Sequence, residues 1–369
     1  MNSQKIVIKI GSSTLTGGTK KISMPQIVDL VAQISRLHSD GHRIVLVSSG
    51  AVAAGREALQ NPDLPGFIPV KQMLSAVGQP RLMAIYTQLF QIYAKTVAQV
   101  LLTRSDISHR RRYLNARNTL NALLMQNIIP IVNENDTVAT DEIRVGDNDN
   151  LSAMVCNLIE ADLLILLTDQ QGLFTADPHQ DPNARLIPEV RETLIPDWIW
   201  QAAGSAQTGL GTGGMVTKVQ AADLARRSGT KVVITHGAQE NVIQNVIQEK
   251  AEGTTFFPTT SNLESRKRFI LTGHRPSGSL YIDPGAAKVM QNRTSSLLPV
   301  GVLRVEGDFD RGATVKILDT NGKEIALGIA SYSSNSMQQL CGHHSVEIES
   351  ILGYTYGNEL VHHDNMVLI

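Results

Sequence analysis

Cysteine is scarce: Cys156 and Cys341 are the only two in 369 residues, far apart and without C-x-x-C spacing. That excludes a disulfide framework and a cysteine-based zinc site, and both are read as small buried apolar residues. Neither sign of charge dominates, with 33 Lys and Arg against 34 Asp and Glu, so the balance points to neither a polyanion nor a membrane surface. No apolar run approaches the roughly 20 residues that a membrane helix needs. The opening residues, MNSQKIVIKIGSS, lack the basic-then-apolar pattern of a secretory signal, so a cytoplasmic location is expected. Internal repeats and low-complexity segments are lacking as well. What is present is 42% hydrophobic and long enough for two domains.

The chain repeats one grammar. Lys5 to Ile10 is a near-continuous β-branched run, read as a strand, that ends in the small loop Gly11-Ser12-Ser13. Apolar residues at Ile27, Leu30, Val31, Ile34 and Leu37 predict a helix from Met24 to Ser39. A second strand, Arg43 to Val47, runs into Ser48-Ser49-Gly50-Ala51. Two helical stretches between Val70 and Tyr93 follow, then a strand from Val97 to Leu102 and a helix from Tyr113 to Gln126. After the apolar run Ile128 to Val132 come a helix from Leu151 to Leu158 and a fully apolar strand from Leu163 to Leu167. A helix from Gly213 to Arg227 and strands at Lys231 to Ile234 and Gly253 to Phe257 complete the pattern. Alternation with near-continuous apolar strands predicts an α/β fold, a doubly wound, mainly parallel open sheet covered on both faces, over residues 1–258. Residues 259–275, polar and carrying Arg266-Lys267-Arg268, read as a linker. Residues 276–369 read as a small β-rich domain of short strands, with a tight hairpin at Asn321-Gly322.

The polar chemistry gathers after strand ends. Between Ile128 and Ala153 an apolar run breaks into six carboxylates, Glu134, Asp136, Asp141, Glu142, Asp147 and Asp149. Interleaved carboxamides, Asn133, Asn135, Asn148 and Asn150, donate to anions and accept from cations. A solvated acidic hairpin is the ordinary alternative. Lys9 lies one residue before the end of the first strand, where a cation is costly unless an anion meets it, the alternative being a surface lysine that snorkels. Ser49-Gly50 and Thr168-Asp169 follow other strands, and in a doubly wound sheet such ends converge on one edge.

The loop Gly209-Leu210-Gly211-Thr212-Gly213-Gly214 formally satisfies the G-x-G-x-x-G fingerprint. That fingerprint requires a strand just before it and an acidic residue about twenty positions on, and neither is there. What remains is a glycine loop at a helix start, where backbone N–H groups and the helix dipole favour phosphate, with Lys218 one turn in. Two lysines on separate elements, a glycine loop and clustered carboxylates suit phosphoryl transfer, which rests on positioning and charge neutralisation. His343-His344 and His362-His363 are read as surface histidines, because adjacent side chains on one strand face opposite ways.

Seven segments together resemble the glutamate 5-kinase family of the amino-acid kinase superfamily. They are Lys9-Ile10-Gly11-Ser12, Val47-Ser48-Ser49-Gly50-Ala51, Ala76-Val77-Gly78-Gln79, Asn133-Glu134-Asn135-Asp136, Val145-Gly146-Asp147-Asn148-Asp149, Leu167-Thr168-Asp169 and Gly211-Thr212-Gly213-Gly214-Met215. Gly278 to Tyr356 is similar to the family's C-terminal PUA domain, although Thr294 and Val300 stand where that pattern more often has Gly and Lys. The resemblance implies ATP-dependent phosphorylation of the γ-carboxylate of L-glutamate, the first step of proline biosynthesis. It implies that Lys9 and Lys218 flank the transferring phosphoryl group and that Asp149 holds both. Glutamate would rest on Ser49, Gly50, Asp136 and Asn148 with Asn133 nearby, Asp136 suiting the ammonium and the Asn carboxamides the carboxylates. ATP would be contacted by Lys9, Thr168, Asp169, Thr212, Gly213, Gly214, Met215, Val216, Thr217 and Lys218. Mg2+ would ride on the ATP phosphates with no protein ligand assigned. Proline is the implied feedback inhibitor, sensed near the hairpin Thr137 to Val145, and a homodimer or homotetramer is implied.

Rival acceptors within the superfamily are N-acetylglutamate, aspartate and nucleotides. Arg144 is the one basic residue between 133 and 150, too few for a nucleotide, and an acetylated amine would leave Asp136 no ammonium. Nucleic acid is not an expected partner of the PUA-like domain, since from Pro276 onward six Lys and Arg face ten Asp and Glu.

Overall fold

A computed structural model describes residues 3–19, 21–60, 62–139, 147–178, 180–204, 214–260, 276–290 and 295–368. The chain divides into two compact units, Met1–Asn262 and Leu263–Ile369, each with its own apolar core. The predicted linker beyond residue 260, with its basic patch, and Thr294 lie outside the described residues.

The first unit starts with β1 (Lys5–Ile10), α1 (Ser12–Thr16), α2 (Met24–Ser39), β2 (Arg43–Ser48), α3 (Ala51–Ala58) and α4 (Ile68–Ile92). It continues with β3 (Val97–Leu102), α5 (Arg104–Ser108), α6 (Arg110–Met125), β4 (Ile129–Glu134), α7 (Asp147–Ile159) and β5 (Leu163–Thr168). Then come β6 (Glu189–Val190), α8 (Asp197–Ala202), α9 (Met215–Arg227), β7 (Lys231–His236), α10 (Val242–Ile247) and β8 (Gly253–Phe256). The strands form one sheet in the order β3-β4-β2-β1-β5-β7-β8-β6, parallel throughout except for β7 against β8.

Successive residues of β1, Ile6, Val7 and Ile8, are all fully buried, so both faces of the sheet are covered, as a parallel sheet requires. Apolar residues of α2, α4 and α10 pack on the face shown by Ile6, Ile8 and Ile10. From β1 the chain builds outward through β2, β4 and β3, then returns to place β5 on the other flank of β1. That reversal is the switch point where open α/β sheets hold ligands beyond their strand ends. Helix α7 makes the crossing and packs against β1, β2, β4 and β5.

Two helical stretches differ most from expectation. The stretch with two expected helices is a single helix, α4, with Pro80 inside it. Proline removes one i→i−4 hydrogen bond there, and burial of Leu74, Leu82, Tyr86 and Phe90 holds the helix together in spite of that loss. Helix α7 begins at Asp147 rather than Leu151, so the polar run 147–150 forms its first turn.

The second unit is a five-stranded sheet of β9 (Gly278–Ile282), β10 (Val302–Glu306), β11 (Thr314–Leu318), β12 (Glu324–Ile329) and β13 (Met366–Leu368), in the order β10-β9-β11-β12-β13. Its neighbours are antiparallel except β9 and β11. The β11–β12 hairpin turns at Asn321-Gly322, where Gly322 takes φ 81°. Cys156 is buried as expected, whereas Cys341 is only half-buried, just beyond the helix Ser334–Leu340. Among the described residues no helix is long and apolar enough to cross a membrane.

Candidate active site

Four strand ends and two helix starts meet at the switch point. Lys9, near the end of β1, is 5% exposed, and its Nζ lies 2.5 Å from Oδ1 of Asp149. Asp149 sits in the first turn of α7, where the helix dipole favours a carboxylate, and is 1% exposed. Lys218, one turn into α9, is 7% exposed and brings its Nζ to 3.4 Å from Oδ2. The hydroxyl of Thr217 donates to that same oxygen at 2.7 Å. Two ammonium groups from separate elements thus share one buried carboxylate, and positive charge exceeds negative by one among the three. Burial opposes ionisation of Asp149, yet the charges of Lys9 and Lys218 and the hydrogen bonds from Lys9 and Thr217 hold its carboxyl below the usual range. Burial likewise pushes the Lys9 ammonium below the ordinary lysine value, against the pull of Asp149.

Beside this triad lies a second polar cluster. The backbone N–H of Glu134 donates to Asn133 Oδ1 at 2.9 Å, which fixes which end of that carboxamide is oxygen. Asn133 Nδ2 therefore donates to Gln79 Oε1 at 2.8 Å. Asn148 Nδ2 donates both to Asn133 Oδ1 at 3.0 Å and to Ser49 Oγ at 2.9 Å. Asp136, half-buried, accepts from Ser75 Oγ at 2.5 Å, and burial raises its carboxyl above the ordinary value against that hydrogen bond. Gly50 caps α3 at φ 104°, a left-handed conformation that calls for glycine.

Sequence reasoning assigned no role to Gln72, Ser75 or Gln79, which recur on one face of α4. Ser75 and Gln79 reach Asp136 and Asn133, while Gln72 Nε2 donates to the carbonyls of Thr137 and Ala139 at 3.3 Å. The available signal was Gly78: a Cβ there would meet Ala51 O at 1.8 Å, and one at Gly55 would meet Leu74 O at 1.9 Å. Only glycines let α3 and α4 cross this closely, and that crossing sets where the polar face of α4 lies.

On the other side of the triad, Thr168 ends β5 and donates to Asp169 Oδ1 at 3.0 Å. An adjoining cavity of about 180 Å³ is lined by Gln170, Leu173, Phe174, Pro178, Ala203 and Met215. Gly214, Met215 and Val216 start α9, whereas Thr212, Gly213 and residues 140–145 of the predicted hairpin lie outside the described residues.

In the second unit, His362, His363 and Asp364 form the only group of potential metal ligands among the described residues. The histidines do not sit on a strand as expected but lead into a 3-10 turn, with ring centroids 4.3 Å apart. His362 Nδ1 accepts from the Asp364 N–H at 3.1 Å, and His363 Nδ1 lies 3.3 Å from Ser296 Oγ, so the cluster satisfies itself.

Comparison with known proteins gives the family. The amino acid kinase family model matches residues 4–236, and the PUA domain model matches residues 278–352. Glutamate 5-kinase of Aliivibrio fischeri is 53% identical over 100% of this chain and 99% of its own length. Glutamate 5-kinase of Vibrio campbellii is 51% identical, over 99% of this chain and 96% of its own. Among solved structures, carbamate kinase from Giardia lamblia bound to AMP-PNP aligns with a TM-score of 0.50 at 15% identity, over 69% of this chain and 98% of that one, a likeness of fold alone. With a family model over more than half its length and relatives above half identical from end to end, the chain belongs to the amino acid kinase family, among the glutamate 5-kinases, with a PUA domain behind the kinase fold.

Proposed function

We propose that this kinase transfers the γ-phosphoryl group of ATP to the γ-carboxylate of L-glutamate by direct in-line attack, giving glutamyl 5-phosphate and ADP. The observation that carries the proposal is the Asp149 carboxylate held between Lys9 and Lys218, next in sequence to Asn148, whose amide joins Ser49 and Asn133 in a second polar cluster. The acceptor carboxylate is already ionised at neutral pH, so no general base is needed. Catalysis then consists of aligning the two anions and neutralising charge on the transferring group, which the two ammonium groups serve. Attack by a γ-carboxylate oxygen forms the new P–O bond, and the bond to the ADP oxygen breaks.

The hydrogen-bond directions refine the substrate roles. Both N–H groups of Asn148 are engaged by Ser49 and Asn133, so Asn148 offers its Oδ1, an acceptor that suits the ammonium beside Asp136. Ser49 accepts from Asn148, which leaves its own hydroxyl hydrogen for a substrate carboxylate. This reverses the expected pairing of the Asn148 carboxamide with a carboxylate. ATP would place its base in the cavity beside Phe174 and Met215, with its phosphates at the start of α9. Both Asp149 oxygens face lysines, so the donor set fits Mg2+ carried chiefly by the nucleotide, where it would neutralise phosphate charge. The same reading includes proline as feedback inhibitor at the glutamate site, a homodimer or homotetramer, and a cytoplasmic setting.

The test is incubation with ATP, Mg2+ and hydroxylamine, reading the acyl hydroxamate. L-Glutamate should give the signal. Product from N-acetylglutamate with none from glutamate would refute the proposal.

A further inference from the structure

The Asn133 network ends in an unpaired group that the substrate roles above do not use. Gln79 is 8% exposed, and its Oε1 accepts from Asn133 Nδ2. Because the Glu134 N–H fixes the direction of Asn133, Gln79 cannot turn its amide over without setting two N–H groups against each other. Its Nε2 is consequently the buried end, and among the described residues it has no hydrogen-bond partner. Asn148 Oδ1 is in the same condition. A buried polar group left unmade is costly, and a donor and an acceptor left over at two ends of one hydrogen-bonded network point to a ligand that supplies an acceptor and a donor.

We infer that Gln79 is a further substrate-binding residue, whose Nε2 donates to the α-carboxylate of the amino acid, so that Gln79 and Ser49 grip the carboxylate while Asp136 and Asn148 Oδ1 take the ammonium. The inference rests on the glutamate reading above and deepens it. The four groups divide by hydrogen-bond sense. Gln79 Nε2 and the Ser49 hydroxyl are donors, and Asp136 and Asn148 Oδ1 are acceptors. They thus match the two ends of a zwitterionic α-amino acid, and the same division rejects an acylated amine, whose single N–H cannot meet both acceptors. Helix α4 places this donor: Ser75, one turn earlier on the same face, holds Asp136.

Two variants test the assignment. Gln79→Met removes the donor with little change in volume, and it should raise the KM for L-glutamate more than fivefold while kcat and the KM for ATP stay within twofold. Gln79→Glu keeps an acceptor for Asn133 Nδ2 and removes the donor. A residue that only supported Asn133 would be rescued by glutamate. A donor to the α-carboxylate would not be, and the new charge repels the substrate carboxylate only if the two are adjacent. The expected result for Gln79→Glu is again a glutamate KM raised more than fivefold, with a melting temperature close to that of the unaltered enzyme. A glutamate KM within fivefold of normal in either folded variant, or a fall in kcat matching the rise in KM, would overturn the inference. Failure of the glutamate reading itself shows separately, as absence of glutamyl hydroxamate from the unaltered enzyme.

Discussion

Lys9 and Lys218 come from opposite ends of the kinase sequence, yet each claims a different oxygen of Asp149, at 2.5 Å and 3.4 Å. The carboxylate fixes the spacing of two buried ammonium groups before any phosphate arrives. In the proposed mechanism, reorganisation that would otherwise accompany charge development is thereby completed during folding.

The first prediction concerns Lys218. Lys218→Ala removes one of two charges expected to grow in value as the phosphoryl group becomes metaphosphate-like. Loss of one such preorganised group lowers kcat by about 10²- to 10³-fold. The proposed glutamate site is built from other residues, so the KM for glutamate should change only a fewfold. Steady-state kinetics with each substrate varied decides the matter, and near-normal turnover would remove Lys218 from the phosphoryl group.

Asp149→Asn addresses stability as well as rate. The carboxylate is buried between two cations and also accepts from Thr217. Replacing it leaves Lys9 buried without its counter-charge, a change that costs about 3–5 kcal/mol. Thermal unfolding should show the kinase unit melting on the order of 10 °C lower. The variant should also lose activity, since neither lysine is then held in place.

Much of this was legible beforehand, for reasons that differ between residues. Lys9 stood out because a cation inside an apolar strand demands an anion, and the sheet order explains how Asp149 comes to it. The strands were readable because burial on both faces leaves an unbroken apolar run in β5 and the run Ile6 to Ile8 in β1. Gln79 and Ser75 were not readable as site residues, because polar groups on a long helix look like a solvated face until its partner is known. The start of α7 was missed for a related reason: Asp and Asn favour caps and loops locally, and only packing across the sheet draws 147–150 into a helical turn. The reading of two helices between Val70 and Tyr93 failed in the same way, since tertiary burial carries one helix through Pro80 against its local propensity.

A glycine far from any substrate atom supplies the next prediction. Gly78→Ala would put a Cβ 1.8 Å from the Ala51 carbonyl, so α4 must move away from α3. Overpacking of this kind costs about 1–3 kcal/mol. Because Ser75 and Gln79 travel with α4, glutamate KM should rise while the KM for ATP is nearly unchanged. A variant as stable as the unaltered protein and with normal glutamate KM would show that the α3–α4 crossing does not position the site.

Asp136 gives the last prediction, in which binding and stability move in opposite directions with pH. Burial raises its folded-state carboxyl above the ordinary 3.8, so as pH falls through that raised value the group becomes neutral and loses its attraction for an ammonium. The acid limb of kcat/KM for glutamate should therefore begin above pH 3.8 and appear in KM rather than kcat. For folding the sign is reversed. The folded state binds the proton more tightly than the unfolded one, so this group's contribution to stability is largest below the ordinary value and is lost as pH rises through the raised one. Asp136→Asn keeps an acceptor for Ser75 and removes the charge. It should flatten the acid limb and raise glutamate KM by about tenfold to a hundredfold, the range for a hydrogen bond to a charged group. The same variant should melt slightly higher than the unaltered apoenzyme at neutral pH, because the cost of a half-buried ionised carboxylate is gone. Kinetics and melting curves across the acid range check both halves, and an unchanged glutamate KM would move the ammonium site elsewhere.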